Sequence, residues 1–265
     1  MELWLAPAFA KVPTLAEALA TFSVDELAGF VAAADGTLDK SAVEWLPVIP
    51  RPGKILCVGL NYRAHVIETG REAPEYPLLF TRFAESQVGH EAPLIRPAAS
   101  TRYDYEGELA VVIGRPARHV SRQAALEYVA GYACFNDGSV RDWQRHSTHF
   151  TAGKNFVGSG AFGPWLVTRD EIGDPAALHL RTRVNGQEVQ SAPTGDLVFD
   201  VPSLIEYAST FTRLEPGDVL ATGTPSGVGA YREPRLWLKP GDVVEVEIEG
   251  IGVLRNPVID EASDA

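Results

Sequence analysis

Cysteine is scarce in this chain, and its scarcity argues against a disulfide-held fold. The 265 residues include only two cysteines, Cys57 and Cys134, and both lie inside apolar runs. A small secreted domain held by disulfides has more cysteines at regular spacings, so this pair is typical of buried thiols. We therefore expect a protein of a reducing compartment, most simply the cytoplasm.

Excess positive charge and long apolar runs are also missing. The chain has 23 basic and 35 acidic residues, for a net charge of −12. A nucleic-acid-binding protein would carry a basic patch, so we expect no nucleic-acid partner. The apolar stretch over residues 3–10 is interrupted by Pro7 and is too short for a signal or membrane segment. We expect no membrane partner either.

The composition that remains is that of an ordinary globular protein. Hydrophobic residues make up 45% and charged residues 22% of the chain, enough for a core and one small extra domain. Residues 14–34 carry helix-forming residues at helical spacing. Two prolines and a glycine within residues 50–53 predict a boundary. We therefore predict a small N-terminal domain over residues 1–50 and a main domain over residues 51–265.

The main domain is predicted to be mixed α/β and mostly β. Short runs of β-branched and apolar residues predict strands over residues 54–59, 108–113, 129–135, 178–184, 219–222 and 243–248. Asn185-Gly186 between two such runs predicts a hairpin turn. Helices are predicted only over residues 121–128, 140–146 and 202–211. The order of elements does not alternate as it does in a parallel βαβ protein.

One glycine-rich segment matches the dinucleotide-binding fingerprint in residue types and spacing but not in structural context. That fingerprint must open a helix, but residues 158–163 are followed by Pro164 and Trp165, which predict an extended chain. His146 and His149 have a spacing that zinc ligands use, but without a third soft ligand nearby they are better explained as surface histidines.

The most informative feature is a pair of acidic residues at the start of a predicted buried strand. Glu106 and Glu108 are two residues apart, so on a strand their side chains point to the same face. Two carboxylates held that close repel each other, and burial adds to the cost. A hard cation such as Mg²⁺, Mn²⁺ or Ca²⁺ would relieve it. The alternative is a solvated strand edge whose charges deter aggregation.

Three further features have both a structural and a catalytic explanation. Asp137 either caps a following helix or supplies a third oxygen ligand at a strand end. Lys154, in a polar loop, is either solvated or stabilises developing oxyanion charge. His65 and Glu68 are three residues apart, so on a helix the carboxylate can orient the imidazole as a base or simply form a surface pair.

The order of these features along the chain resembles the fumarylacetoacetate hydrolase family, in particular its bacterial two-domain members. The resemblance runs from about residue 54 to residue 258. It depends on an ordered set of segments, namely residues 58–65, 105–114, 131–132, 136–137, 141–144, 153–156, 163–165, 184–186, 214–218 and 223–229.

The resemblance implies a β-sandwich roll, with a small N-terminal α/β domain, that forms a homodimer and binds a divalent metal at its mouth. By matching position, Glu106, Glu108 and Asp137 are the implied metal ligands. The implied catalytic residues are His65, Glu68 and Lys154, with the first two on a lid segment. Residues implied in substrate binding are Gln144, Thr224 and Arg141.

This sequence departs from the family pattern at two places that concern the site. Leu60 stands where some animal relatives have an arginine, and Arg82 could supply that cation for the substrate instead. Val58 stands near the position of a further acidic metal ligand in the animal enzymes. We expect water or substrate at that coordination position.

The function expected from the resemblance is cleavage of a carbon–carbon bond in a short 2,4-diketo acid, such as an acylpyruvate or fumarylpyruvate. His65, oriented by Glu68, would activate the water that attacks the distal carbonyl. The same site could also support oxaloacetate decarboxylation, keto–enol isomerisation, or isomerisation or hydration of a 2-oxo-enoate. A metal-dependent binding protein without turnover is disfavoured, because binding alone needs no base.

Overall fold

The computed structural model describes residues 14–32 and 43–262. Within these residues the chain forms three sheets of seven, five and two strands, with short helices between them. The strands are β1 Ile55–Gly59, β2 Leu78–Thr81, β3 Gln87–Val88, β4 Leu94–Arg96, β5 Tyr103–Asp104, β6 Gly107–Ile113, β7 Val129–Asn136, β8 Ser139–Val140, β9 Gly160–Thr168, β10 His179–Val184, β11 Gln187–Pro193, β12 Val219–Ala221, β13 Val243–Ile248 and β14 Gly252–Asp260.

The α-helices are few and mostly short, as the sequence predicts. They are α1 Leu15–Thr21, α2 Val24–Ala32, α3 Arg63–Thr69, α4 Arg141–Gln144, α5 Thr151–Lys154, α6 Arg169–Ile172 and α7 Val201–Phe211. The longest element of the main domain is α7. Asp200 caps it by accepting a hydrogen bond from the Ser203 backbone N–H at 2.9 Å. The fold is mixed α/β and mostly β, so the predicted class is confirmed.

The seven-stranded sheet has the order β2-β1-β12-β6-β7-β9-β3, and the five-stranded sheet has the order β11-β10-β13-β14-β4. Every residue of β6 and β7 is buried, because both faces of this sheet are covered. Leu109 and Val111 of β6 face a core shared with β10, β13 and β14. Ala110 and Val112 face a second core shared with α1 and α2. This double burial explains why β6 is an unbroken apolar run.

Most predicted elements of the main domain are present, with small shifts at their ends. The strand predicted over residues 178–184 is β10, and Asn185-Gly186 turns into β11 with both residues at positive φ. The α-helix predicted over residues 121–128 is wrong, because only residues 125–128 are helical and they form a 3₁₀ turn. Residues 160–168 form β9, so the glycine-rich segment does not open a helix.

The N-terminal helices pack against the main sheet. Ala18, Leu19 and Leu27 share the second core with Ile55 and Phe80. Part of the predicted N-terminal domain, residues 1–13 and 33–42, lies outside the described residues. The division of the chain at residue 50 therefore stays a prediction.

Both cysteines are free and buried, as expected from their apolar surroundings. Cys57 belongs to the second core and Cys134 to the first, so they lie on opposite faces of the seven-stranded sheet. None of the described helices is long and apolar enough to cross a membrane.

Candidate metal centre and active site

The three predicted metal ligands lie together at one end of the seven-stranded sheet. β6 and β7 are antiparallel neighbours, with Gly107 opposite Asn136. The start of β6 therefore lies beside the end of β7, where Asp137 follows. The Asp137 backbone N–H donates to the Glu106 carbonyl at 2.8 Å. One carboxylate oxygen from each of Glu106, Glu108 and Asp137 lies within 4.8 Å of the other two.

These carboxylates are buried, which rules out a solvated strand edge. Their residues are 6%, 1% and 0% exposed in chain order. Burial raises the pKa of Glu108 well above its usual value, and the negative charges of Asp137 and Glu106 raise it further. Burial acts in the same direction on Glu106, but the charges of Lys154 and Arg141 outweigh it and lower its pKa to about 2.

Charged side chains surround the cluster, and the acidic ones are in excess. The buried group contains three basic residues, Arg82, Arg141 and Lys154, and four acidic residues, Asp104, Glu106, Glu108 and Asp137. Among the residues that the structure describes, Glu108 has no ion-pair partner and accepts one hydrogen bond, from the Gly223 backbone N–H at 2.8 Å. A divalent cation with oxygen ligands fits this donor set, because it would neutralise the excess charge at Glu108.

Lys154 lies in a different environment from the one predicted. It is the last residue of α5 rather than part of a polar loop, and it is 1% exposed. Its ammonium group contacts Glu106 Oε2 at 2.7 Å, Asp137 Oδ2, and the Asp137 carbonyl at 3.3 Å. Burial favours the neutral amine, but Asp137 and Glu106 outweigh it and raise the Lys154 pKa. Since an ammonium has three protons, all of them are already engaged.

Arg82 does not lie where a substrate-binding cation was expected. Its guanidinium is fully buried and donates to Asp137 Oδ1 at 2.6 Å, to the Gly138 carbonyl at 2.8 Å and to Ser159 Oγ at 2.9 Å. The residues that line the cavity in front of the carboxylates do not include it. The substrate-binding role expected for Arg82 is therefore corrected. Arg82 instead binds Asp137, a candidate metal ligand, and does not line the cavity.

The predicted histidine–glutamate pair is formed on α3. His65 Nδ1 lies 2.7 Å from Glu68 Oε2, and Glu68 Oε1 accepts from the Gly227 backbone N–H at 2.7 Å. A carboxylate opposite Nδ1 favours the tautomer that is protonated there. We assign Nε2 as the unprotonated nitrogen, which leaves it free to act as a base.

A cavity of about 570 Å³ joins these parts. Its lining includes all three carboxylates, His65 and Lys154, together with the predicted substrate-binding residues Arg141, Gln144 and Thr224. Apolar and aromatic side chains complete the wall, among them Leu78, Phe80, Phe150 and Tyr231. A large concave site with a few convergent polar groups is typical of a small-molecule site.

Arg141 connects two of these groups. One of its terminal nitrogens, Nη1, forms an ion pair with Glu106 Oε1 at 2.6 Å and donates to Gln144 Oε1 at 3.1 Å. Its Nε donates to Asp104 Oδ2 at 2.7 Å. Arg141, for which the resemblance implies substrate binding, therefore lies beside the cluster and also fixes the direction of the Gln144 amide.

Sequence reasoning missed Asp104, although a signal was present. Asp104 is two residues before Glu106, so the same alternation that links Glu106 and Glu108 places it on their face. It is fully buried and accepts from Arg141 and from the backbone N–H groups of Gly229 and Ala230. It thus connects the cluster to the turn that carries Tyr231, whose ring lies 6.3 Å from the His65 ring. Tyr231 itself had no local signal.

The chain is similar to proteins that are named for several different activities. It matches the family described as "Fumarylacetoacetate (FAA) hydrolase C-terminal" over residues 54–259. It is 43% identical over 224 residues to the mitochondrial oxaloacetate tautomerase of Xenopus laevis, an alignment that covers 84% of this chain and 70% of the relative.

Two solved structures extend the comparison. The 2-hydroxyhepta-2,4-diene-1,7-dioate isomerase of Mycobacterium marinum has a TM-score of 0.75 at 37% identity, covering 86% of this chain and 82% of that one. The fumarylacetoacetate hydrolase of Exiguobacterium antarcticum has a TM-score of 0.81 at 37% identity, covering 95% and 89%. Because the family model, the sequence identities and the fold agree, the chain belongs to the fumarylacetoacetate hydrolase family.

Proposed function

We propose that this protein is a divalent-metal-dependent enzyme that interconverts the keto and enol forms of a short 2-keto acid of the oxaloacetate type. The observation that carries the proposal is that a buried triad of carboxylates and the His65–Glu68 pair belong to one cavity. Relatives that are 42–44% identical are named oxaloacetate tautomerases, which supports this reaction over the others.

The metal-binding part of the proposal assigns Glu106, Glu108 and Asp137 as ligands. A bound Mg²⁺, Mn²⁺ or Ca²⁺ would supply positive charge next to the substrate carbonyl and so make the neighbouring C–H more acidic. Lys154 keeps Glu106 and Asp137 in place and balances part of their charge. Because its three protons are engaged, a direct contact with the substrate would require one of these bonds to break.

Proton transfer is assigned to His65. The unprotonated Nε2 removes a proton from the carbon beside the carbonyl and returns it to the oxygen, and the reverse sequence gives the keto form. Glu68 accepts the hydrogen bond from Nδ1 and stabilises the imidazolium that forms. Gly227 holds Glu68 in this position through its backbone N–H.

Hydrolysis of an acylpyruvate is the second candidate, and the apolar part of the cavity favours it. Leu78, Phe80 and Phe150 line the wall, and a four-carbon acid would leave much of the 570 Å³ unfilled. In this reaction His65 takes a proton from water, the hydroxide adds to the distal carbonyl, and the carbon–carbon bond breaks to release pyruvate enolate. The enolate is then protonated.

The two reactions are separated by supplying their substrates to the Mg²⁺-loaded protein. Freshly dissolved enol oxaloacetate is followed by its absorbance, and pyruvate is measured in parallel to detect decarboxylation. Acetylpyruvate is followed in a second assay. We expect rapid loss of the oxaloacetate enol without pyruvate formation, and we expect EDTA to abolish it. Consumption of acetylpyruvate alone would favour the hydrolase, and turnover of neither would reject both.

A histidine variant tests the assignment of the base. His65→Ala is expected to abolish tautomerisation while leaving Mg²⁺ affinity nearly unchanged, because His65 is not a ligand. The matched control is His179→Ala, since His179 lies on β10 and contacts Ser191 outside the cavity. An equal loss of activity and Mg²⁺ binding in His65→Ala would show that the base is misassigned.

We further propose that the enzyme uses Mg²⁺, assembles as a homodimer and acts in the cytoplasm. The resemblance to bacterial family members supports the dimer, and the two buried thiols are compatible with a reducing compartment. Light scattering after size-exclusion chromatography tests the assembly, and a mass equal to one chain would reject it.

A further inference from the structure

A glutamine that sequence reasoning did not select reaches the site from the second sheet. Gln190 lies on β11 and is 2% exposed. Its Oε1 accepts from the Gly107 backbone N–H at 3.0 Å, and its Nε2 donates to the Pro225 carbonyl at 2.8 Å. An N–H only donates and a carbonyl only accepts, so these two contacts fix which end of the amide carries the protons.

The same amide nitrogen donates to Thr224 Oγ1 at 2.8 Å. The Thr224 hydroxyl lies 2.9 Å from the Gly107 carbonyl, to which it must donate, because a carbonyl has no proton to give. The single proton of Thr224 is therefore used, and one lone pair is occupied by Gln190. What Thr224 has left to offer in hydrogen bonding is its second lone pair.

We propose that Gln190 is a positioning residue that, together with the Gly107 carbonyl, makes Thr224 a hydrogen-bond acceptor toward the substrate, so that the site prefers a protonated oxygen, as in an enol or a 2-hydroxy acid, over a keto oxygen. The inference deepens the proposed tautomerase function and rests on it for the identity of the substrate. It gives Thr224, which the resemblance implies in substrate binding, the role of an acceptor.

A hydrogen-bond donor, the amide nitrogen of Gln144, has a fixed orientation elsewhere in the cavity. The Arg141 guanidinium only donates, so the contact at 3.1 Å identifies the Gln144 atom facing it as the carbonyl oxygen. The Gln144 amide nitrogen then points away, and no residue in the described ranges accepts from it. Gln144 lines the cavity, so a substrate carboxylate has a donor there while an enol hydroxyl has an acceptor at Thr224.

This arrangement has a direct consequence for tautomerisation. A keto oxygen opposite Thr224 would bring two lone pairs together, whereas an enol hydroxyl would form a hydrogen bond. The protein therefore lowers the free energy of the bound enol relative to that of the bound ketone.

The test compares two ligands that differ in this one group. Lactate and pyruvate have the same carbon skeleton and charge, but lactate carries a hydroxyl where pyruvate carries a keto oxygen. Each enantiomer of lactate, and pyruvate, is titrated calorimetrically into the Mg²⁺-loaded protein. Thr224→Val is expected to weaken the better-bound lactate roughly fivefold and to leave pyruvate unchanged or slightly tighter. Thr224→Ser, which keeps the hydroxyl, is expected to restore the lactate affinity.

Gln190→Met tests whether Gln190 acts through Thr224. It is expected to reduce the preference for lactate over pyruvate, and the double variant with Thr224→Val is expected to be no worse than Thr224→Val alone. The matched control is Thr194→Val, because Thr194 is a buried threonine that also bonds backbone carbonyls but does not line the cavity. It is expected to keep the wild-type preference.

Equal weakening of lactate and pyruvate by Thr224→Val would overturn the proposal, as would independent, additive effects of the two substitutions. If Thr224→Val does not fold, Thr224→Ala applies the same comparison. The readout is binding and needs no turnover. The protein could show the expected preference for lactate over pyruvate and yet leave oxaloacetate unconverted. This result would support the role of Gln190 and reject only the proposed tautomerase reaction.

Discussion

Glu108 is the residue whose surroundings depart most from what a metal-free protein would favour. It is 1% exposed, and its charge is opposed by burial and by the neighbouring Asp137 and Glu106. Arg141 and Lys154 compensate Glu106 but form no ion pair with Glu108. The three close carboxylates therefore lower the stability of the metal-free protein and become favourable once a cation is bound. Functional sites commonly reduce the stability of a fold in this way.

The first prediction concerns Glu108→Gln. The pKa of Glu108 is raised above 4.5 in the folded protein, so the fold holds this proton more tightly than the unfolded chain. Without metal, its contribution to stability is therefore lost as pH rises above 4.5 through the raised value. At pH 8 in EDTA, Glu108→Gln should melt at a higher temperature than wild type, because the amide carries no charge.

Added Mg²⁺ is expected to favour wild type over the variant instead. Mg²⁺ should raise the melting temperature of wild type but have little effect on Glu108→Gln, which lacks a ligand charge. A variant that is less stable than wild type in EDTA would show that the carboxylate is not under strain in the empty site.

The second prediction concerns Arg82, whose pair with Asp137 is fully buried. Arg82→Met leaves that carboxylate without its partner and should lower the free energy of unfolding by about 3–5 kcal/mol. Denaturant unfolding with EDTA present measures it.

The matched control is Arg96→Met, because Arg96 pairs with Asp260 where the two side chains are 22% and 55% exposed. It should cost less than about 1 kcal/mol. Similar costs for the two substitutions would mean that the Arg82 pair contributes no more than a surface one.

At the scale of elements, the position of α3 decides whether the base is assembled. Asn61, just before this helix, is fully buried and bonds the Thr222 carbonyl at 2.7 Å and the Phe199 backbone N–H at 2.8 Å. At the other end of the site, Gly227 donates to Glu68. The helix is therefore tied at both ends to segments that follow it by more than one hundred residues.

The third prediction concerns Gly227→Ala. Gly227 has a φ of +102°, and a Cβ there would meet the Val189 carbonyl oxygen at 2.1 Å. The backbone must shift and take the N–H away from Glu68, so we expect kcat to fall by up to about a hundredfold. Steady-state kinetics with oxaloacetate measures it, and Glu68→Gln should show a comparable loss.

Gly173→Ala is the control for Gly227→Ala. Gly173 also has a positive φ, +68°, but a Cβ there would meet nothing within 4 Å. It should be slightly destabilised but fully active. A normal kcat in Gly227→Ala would show that this anchor is not needed for proton transfer.

Prediction from the sequence was most successful for elements with one dominant pattern. The apolar runs of β6 and β7 and the Asn185-Gly186 turn were sufficient to locate these elements. It failed for α5, because the sequence predicts a loop around Lys154. The four residues of α5 are helical because contacts with the rest of the protein hold them in that conformation. Short helices have too few local hydrogen bonds to be specified by their own residues.

At the scale of the whole molecule, the two large sheets approach each other closely at the start of β6, beside the site. Gly107, between the two glutamates, faces the five-stranded sheet because adjacent strand residues alternate. A Cβ on Gly107 would meet Thr182 Oγ1 at 2.1 Å and Val246 at 3.3 Å. The absence of a side chain allows the sheets to approach closely, and this approach brings Gln190 to Gly107 and Thr224.

The fourth prediction is that Gly107→Ala forces this contact apart. We expect a loss of about 1–3 kcal/mol in the free energy of unfolding, together with a weaker preference for lactate over pyruvate because Gln190 shifts. The control is Gly29→Ala in α2, where a Cβ would meet nothing within 4 Å. It should gain about 0.5–1 kcal/mol from its higher helix propensity. Unchanged stability in Gly107→Ala would mean that the sheets can separate freely.

The sequence by itself determined the fold class and the strands next to the acidic residues, and its resemblance to a family indicated the three carboxylates. These depend on local alternation and on the order of short segments, which the chain carries wherever it folds. Only the tertiary structure decided that Arg82 lies behind Asp137, that the protons of Lys154 are all engaged and that Gln190 orients Thr224. Hydrogen-bond partners distant in sequence are chosen by packing between sheets, and no local pattern specifies that packing.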